Sequence, residues 1–110
     1  MLKLYIVLRA DLTPGLKIPQ ACHAQDAFYE EHPELYAEWR TKYKNLIIKE
    51  VADEAALKVL NARLHDEKVA KVFYTEEDLD HSITAIAFYG PKAKRFAGPL
   101  PLALQPPKAA

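Results

Sequence analysis

Only one cysteine, Cys22, stands in 110 residues, so no internal disulfide can staple the chain and the fold has to rest on a packed core. That usage suits a reducing compartment. Glycine is scarce, at three residues; no glycine-rich phosphate cradle, nucleophile elbow or zinc-ligand set can be traced. Neither sign of charge dominates: fifteen Lys and Arg balance fifteen Asp and Glu. That balance counts against the broad positive field of a domain that holds tRNA phosphates, and leaves only a local basic patch open. No hydrophobic run is long enough to span a membrane. The apolar start, Met1 to Leu8, carries Lys3 and is closely followed by Arg9 and Asp11, which fits neither a signal peptide nor a transmembrane segment. Cytoplasm is therefore the default expectation. What remains is ordinary globular material, half hydrophobic and 27% charged, of a length that fits one domain able to bury a core without metals.

Hydrophobic patterning orders the chain as β-α-α-β-α-β-β. Tyr5 to Leu8 is continuously apolar within Leu2–Arg9, the pattern of a central strand buried on both faces. Asp11 to Gly15 reads as a turn. In the helix that follows, Ile18, Ala21, Cys22, Gln25, Phe28 and Tyr29 share one stripe, expected to be buried, with Pro19 in the first turn. Gln20, His23, Ala27 and Glu30 lie on another face. His32-Pro33 interrupts the helix, and Pro33 to Tyr43 reads as a second one. Asn45 to Val51 is the next strand. Asp53 is a candidate N-cap for a helix with Ala56, Leu57, Leu60 and Leu64 on its inner stripe. Val69 to Thr75 and Ser82 to Tyr89 are the last strands, joined by the acidic stretch Glu76 to His81. Gly90-Pro91 ends the series. The rest is rich in proline, with Leu100, Leu102 and Leu104 alternating in a segment that can pack on the body or on a partner. Pro106 to Ala110 is expected to be a mobile terminus. The fold class is α/β: a mixed four-stranded sheet flanked by helices in a single domain, residues 1–98, with a proline-rich tail at 99–110.

Three places carry candidate chemistry. Lys17 lies where the first helix begins. Unpaired helix N–H groups and a lysine together make an anion site for a phosphate or a developing oxyanion; the bland alternative is a solvated lysine. Glu76, Glu77, Asp78 and Asp80 crowd into five positions. Carboxylates so close repel, and one of them can be raised to a pKa useful for base work; the alternative is a solvated charged loop. The spacing lacks the glycine and ligand pattern of a calcium loop, so no metal is expected. His23 faces either a cleft or solvent. Cys22, on the apolar stripe, reads as core and not as a nucleophile, and Trp39 with its neighbouring tyrosines reads as core too.

The order of these pieces resembles a known family. Leu4-Tyr5-Ile6-Val7-Leu8-Arg9-Ala10-Asp11-Leu12-Thr13-Pro14-Gly15, followed by Pro19-Gln20-Ala21-Cys22-His23-Ala24, is similar to the opening of type-2 peptidyl-tRNA hydrolases, in short bacterial or phage-type form. Glu76 to Ala87 resembles their acidic loop and threonine-bearing last strand. The likeness runs from Leu2 to Pro91. It implies an α/β enzyme, free of metal and cofactor, that hydrolyses the ester between a peptide or N-blocked amino acid and tRNA with an activated water. On this likeness Lys17, Asp78 and Thr84 match the functional lysine, aspartate and threonine, and His23 matches the helix histidine. The usual Asp-Ala-Gly-x-Thr loop is absent, which leaves Glu76 and Glu77 as alternative counterparts of the aspartate; Ser82 is a substitute for a second threonine. His23, Gln20, Glu76 and Ser82 are the expected substrate-binding set. The expected partner is peptidyl-tRNA, with no membrane and with a homodimer as an option. The alternative function is a catalytically inactive tRNA- or protein-binding module on the same fold.

Overall fold

A computed structural model describes residues 1–105; the expectation for Pro106 to Ala110 lies outside them. Four strands form one sheet: β1 (Leu4–Arg9), β2 (Leu46–Val51), β3 (Ala70–Glu76) and β4 (Ser82–Tyr89), in the order β2-β1-β4-β3. β1 pairs parallel with β2 and antiparallel with β4, and β4 pairs antiparallel with β3. The sheet is thus mixed, with the two most apolar strands in its centre, as the uninterrupted apolar runs predict.

Alternation along the strands separates two cores. Leu4, Ile6, Leu8, Ala85, Ala87 and Tyr89 pack under α1 (Pro14–Glu31). Tyr5, Val7, Ile86 and Phe88 face α3 (Glu54–Asp66), which supplies Leu57, Leu60 and Leu64. Asp53 caps α3 as its sequence position predicts, its Oδ1 accepting from Ala56 N at 3.0 Å. α2 (Pro33–Glu38) runs on into a π-helical turn, Trp39–Tyr43, closed by Lys44 in the left-handed region. Trp39 is buried there and donates to the Asn45 carbonyl at 2.8 Å.

Three expectations need correction. α1 begins at Pro14, so Pro19 lies inside it and not in its first turn. α1 is also turned about its axis: its buried residues are Lys17, Gln20, Ala21, Ala24 and Phe28, while Ile18 and Tyr29 are exposed and Cys22 is an exposed free thiol. Cys22 is therefore not a core residue. The cause is polar: Lys17 and Gln20 find buried partners on the sheet, and those bonds outweigh the apolar side chains one step round the helix. Lastly, a short α4 (Ala93–Ala97) follows β4 and seats Ala93, Phe96 and Ala97 in the α3-side core. Five residues are too few to reveal a helical period in sequence. The chain reaches it through Gly90, whose φ of 138° is open to glycine.

Residues 100–103 close the free edge of β2. Glu50 N donates to the Pro101 carbonyl and Ala103 N to the Ile48 carbonyl, while Lys49 Nζ reaches the Leu100 carbonyl at 2.8 Å. Leu100 joins the α3-side core and Ala103 the α1-side core, so this strap wraps round the edge and satisfies backbone groups that would otherwise template pairing.

Candidate active site

The strand directions gather the polar residues at one end of the sheet. β1, β2 and β3 all finish there and β4 starts there. α1 and α3 begin there, since each follows a strand that has just ended. The crevice outside the carboxyl ends of strands is where open α/β sheets hold ligands.

Lys17 is in the first turn of α1. Its side chain is 9% exposed, and its ammonium lies 2.7 Å from Oε2 of Glu50 on β2, itself 13% exposed. Glu50 shares the α1 face with Ile48, two residues before it, which is why it meets this helix. The expected ring of free helix amides is not what surrounds Lys17. Pro14 has no N–H, and the amides of Leu16 and Lys17 both donate to the Thr13 carbonyl. Charge at this spot comes from the lysine.

A second chain of bonds crosses from β4 to β3. The Thr84 hydroxyl donates to Gln20 Oε1 at 2.7 Å, and Gln20 Nε2 donates to Glu76 Oε2 at 3.1 Å. Thr84 is fully buried and Gln20 nearly so. Thr84 therefore orients Gln20, and Gln20 orients Glu76 at the end of β3. Asp78 takes no part in this relay; it stands exposed on the single 3-10 turn Glu77–Leu79. His23 is exposed and stacks on Tyr74, ring centroids 4.8 Å apart. The left-handed conformations of Asp80 and His81 carry the chain from the turn back into β4.

A third cluster fixes the start of β4. Arg9 grips Asp11 with both arms of its fork, each at 2.9 Å, and donates to Ser82 Oγ at 3.1 Å. Glu54 of α3 accepts from Ile83 N at 2.8 Å. The Arg9 guanidinium holds the Asp11 carboxyl below its usual range, chiefly through the hydrogen bonds. Arg9, Asp11, Glu50 and Glu54 carried no role in the sequence reading. The signal for Glu50 was present: a charged residue inside the apolar run Leu46 to Val51 needs a partner. No such signal marks Glu54.

Lys17, Gln20, Glu76, Ser82 and Thr84 are thus gathered at one end of the sheet; Asp78 lies at the same end, exposed on the turn between β3 and β4. Among the described residues no three His, Cys, Asp or Glu side chains converge as a metal site requires, and no helix is long and apolar enough to cross a membrane.

The domain is thus a layered α/β one with a buried lysine and a tethered carboxylate at the strand ends. Comparison with known proteins narrows this. The model of the family described as peptidyl-tRNA hydrolase PTH2 matches residues 2–97, and the chain belongs to that family. Among curated proteins none matches. Among solved structures, a protein of unknown function from Agrobacterium tumefaciens is similar in fold. It is 13% identical, with a TM-score of 0.66 over 92% of this chain and 96% of that one.

Proposed function

We propose that this cleft hydrolyses the ester between a peptide, or an N-blocked amino acid, and tRNA. The observation that carries the reading is Lys17, a lysine held almost out of solvent beside Glu50 near the carboxyl end of β2, in a chain of the peptidyl-tRNA hydrolase family. A water oxygen attacks the acyl carbon. Glu76 accepts the water's proton, the carbon–oxygen bond to the terminal ribose breaks, and the ribose oxygen takes that proton from Glu76 as it leaves. The products are a free carboxylic acid and tRNA with its hydroxyl restored. Lys17 stabilises the negative charge on the former carbonyl oxygen. Glu76 is favoured over Asp78 as the base because Gln20 and Thr84 hold it in place, whereas Asp78 has the exposed turn. Thr84 is a positioning residue. The His23–Tyr74 pair offers a flat surface on which a base at the acceptor end can stack. A substrate made in translation puts this work in the cytoplasm.

A second reading, a tRNA-binding module without turnover, draws on the Lys17–Glu50 pair itself, since an ammonium so paired is already neutralised. Incubation of N-acetyl-aminoacyl-tRNA with the protein in ¹⁸O-labelled water separates the two. Hydrolysis releases N-acetyl amino acid with the label in its carboxylate. An intact ester at stoichiometric protein, with tRNA bound, refutes the enzyme.

A further inference from the structure

Lys17 also lines a slot that the relay of polar groups does not use. A cavity of about 190 Å³ opens between α1, the outer part of the sheet and the C-terminal strap. Leu8 and Ile48 form its floor, Ala21 and Cys22 its helical wall, and Ala103 and Leu104 the strap side. Its extent follows from the register. Lys17 meets Glu50, which pairs with Leu8, and the slot continues to Leu46, which pairs with Leu4. It therefore runs down the sheet from the ammonium into an apolar region. The turned helix creates it: by seating Lys17 and Gln20 on the sheet, α1 leaves Ile18 and Cys22 at the rim instead of filling the gap with them. A cavity of roughly 150 Å³ lined by aliphatic groups holds benzene, so this one has room for a leucine or phenylalanine side chain.

We propose that the slot receives the side chain of the amino acid esterified to tRNA, and so makes large apolar C-terminal residues the preferred acyl groups. The inference rests on the hydrolase reading of the same site. An acyl residue with its side chain in the slot has its carbonyl next to Lys17, at the slot's polar end. A glycyl ester has nothing to place there, and an aspartyl ester would bring a carboxylate into an apolar wall one residue row from Glu50. The strap is then a specificity element, because Ala103 and Leu104 complete the wall.

The experiment compares N-acetyl-leucyl-tRNA with N-acetyl-glycyl-tRNA, using the folded wild-type protein before and after alkylation of Cys22, its one thiol, with N-ethylmaleimide. Modifying the folded chain avoids a variant that fails to fold. The expected result is a kcat/KM for the leucyl ester roughly tenfold or more above that for the glycyl ester, carried mainly by KM, and collapse of that ratio to about twofold or less once the adduct fills the mouth of the slot. Ala103→Phe, which narrows the slot from the strap, lowers the same ratio. Equal turnover of the two esters by the unmodified protein overturns the slot while leaving the hydrolase reading in place, as does a ratio that survives the adduct. No turnover of either ester overturns both.

Discussion

Replacing Glu50 by glutamine keeps the shape of the side chain and removes the counter-charge of Lys17. At 2.7 Å and an effective dielectric constant of about 20, the gross attraction is about 6 kcal/mol, most of which is offset by desolvating both ions. Breaking one side of a buried pair costs about 3–5 kcal/mol. The side chains here are 9% and 13% exposed and the glutamine oxygen keeps a partial negative charge beside the ammonium, so the expected loss for Glu50→Gln is about 2–3 kcal/mol. The double replacement Lys17→Met with Glu50→Leu should recover most of that loss, because neither charge is then buried. Urea unfolding at neutral pH of wild type, Lys17→Met, Glu50→Leu and the double variant closes the cycle: the midpoint falls for each single variant with the slope unchanged, and the coupling between the sites is about 2 kcal/mol. High salt leaves the coupling largely in place, since buried pairs are weakly screened. A Glu50→Gln protein within about 0.5 kcal/mol of wild type refutes the reasoning: the pair would then behave as a solvated surface contact.

Thr84→Val is nearly isosteric and deletes the hydroxyl that orients Gln20. It leaves the buried Gln20 oxygen without its donor, so stability drops by about 1–3 kcal/mol. Turnover falls too, with kcat changing more than KM, if Glu76 is held through Gln20; an unchanged kcat contradicts the relay. Tyr89 predicts a response to base. Burial first, and its 2.7 Å bond to Glu38 second, raise its pKa above 10.0 in the fold. The unfolded chain therefore loses the phenolic proton at lower pH than the folded one, so this contribution is full below pH 10.0 and is lost as pH rises beyond it. Urea midpoints measured at about pH 9 and pH 11 should fall less for Tyr89→Phe than for wild type; equal falls count against the buried phenol.

Much of the fold could be read from patterning because strands of this kind declare themselves. Tyr5 to Leu8 and Ala85 to Tyr89 are apolar without a break and became the central strands. Leu57, Leu60 and Leu64 recur at helical spacing and are the buried face of α3. α1 misled in part: Ala21 and Phe28 of its apolar stripe are buried, but the buried face is centred to one side of that stripe, with Lys17, Gln20 and Ala24 in it and Ile18, Cys22 and Tyr29 outside it. Hydrophobicity ranks Cys22 and Ile18 above Lys17 and Gln20, whereas the fold is decided by where the lysine and the glutamine find partners, on strands 33 and 64 residues away respectively, counting from Lys17 to Glu50 and from Gln20 to Thr84. Long-range pairing of that kind leaves no local trace. The same holds for the site. Lys17 stood out by its place at the start of a helix, and Glu76 by its place in the acidic run, but which acidic residue is tethered depends on Gln20, which lies on α1, 56 residues earlier in the chain. Of the alternating leucines in the strap only Leu100 packs on a core, Leu102 and Leu104 being exposed and Ala103 taking the other inner place; the seat on the edge of β2 rests on backbone pairing, which carries no side-chain code.

The role of Lys17 in ester hydrolysis is read from release of N-acetyl amino acid from tRNA under single-turnover conditions, by wild type and by Lys17→Ala. Lys17→Met serves as a second variant, and circular dichroism confirms that each is folded. Release by wild type is expected, with a loss of about two to three powers of ten in the chemical step for both variants and acyl-tRNA still bound. Release at the wild-type rate by either folded variant, or no release by the wild type itself, contradicts it.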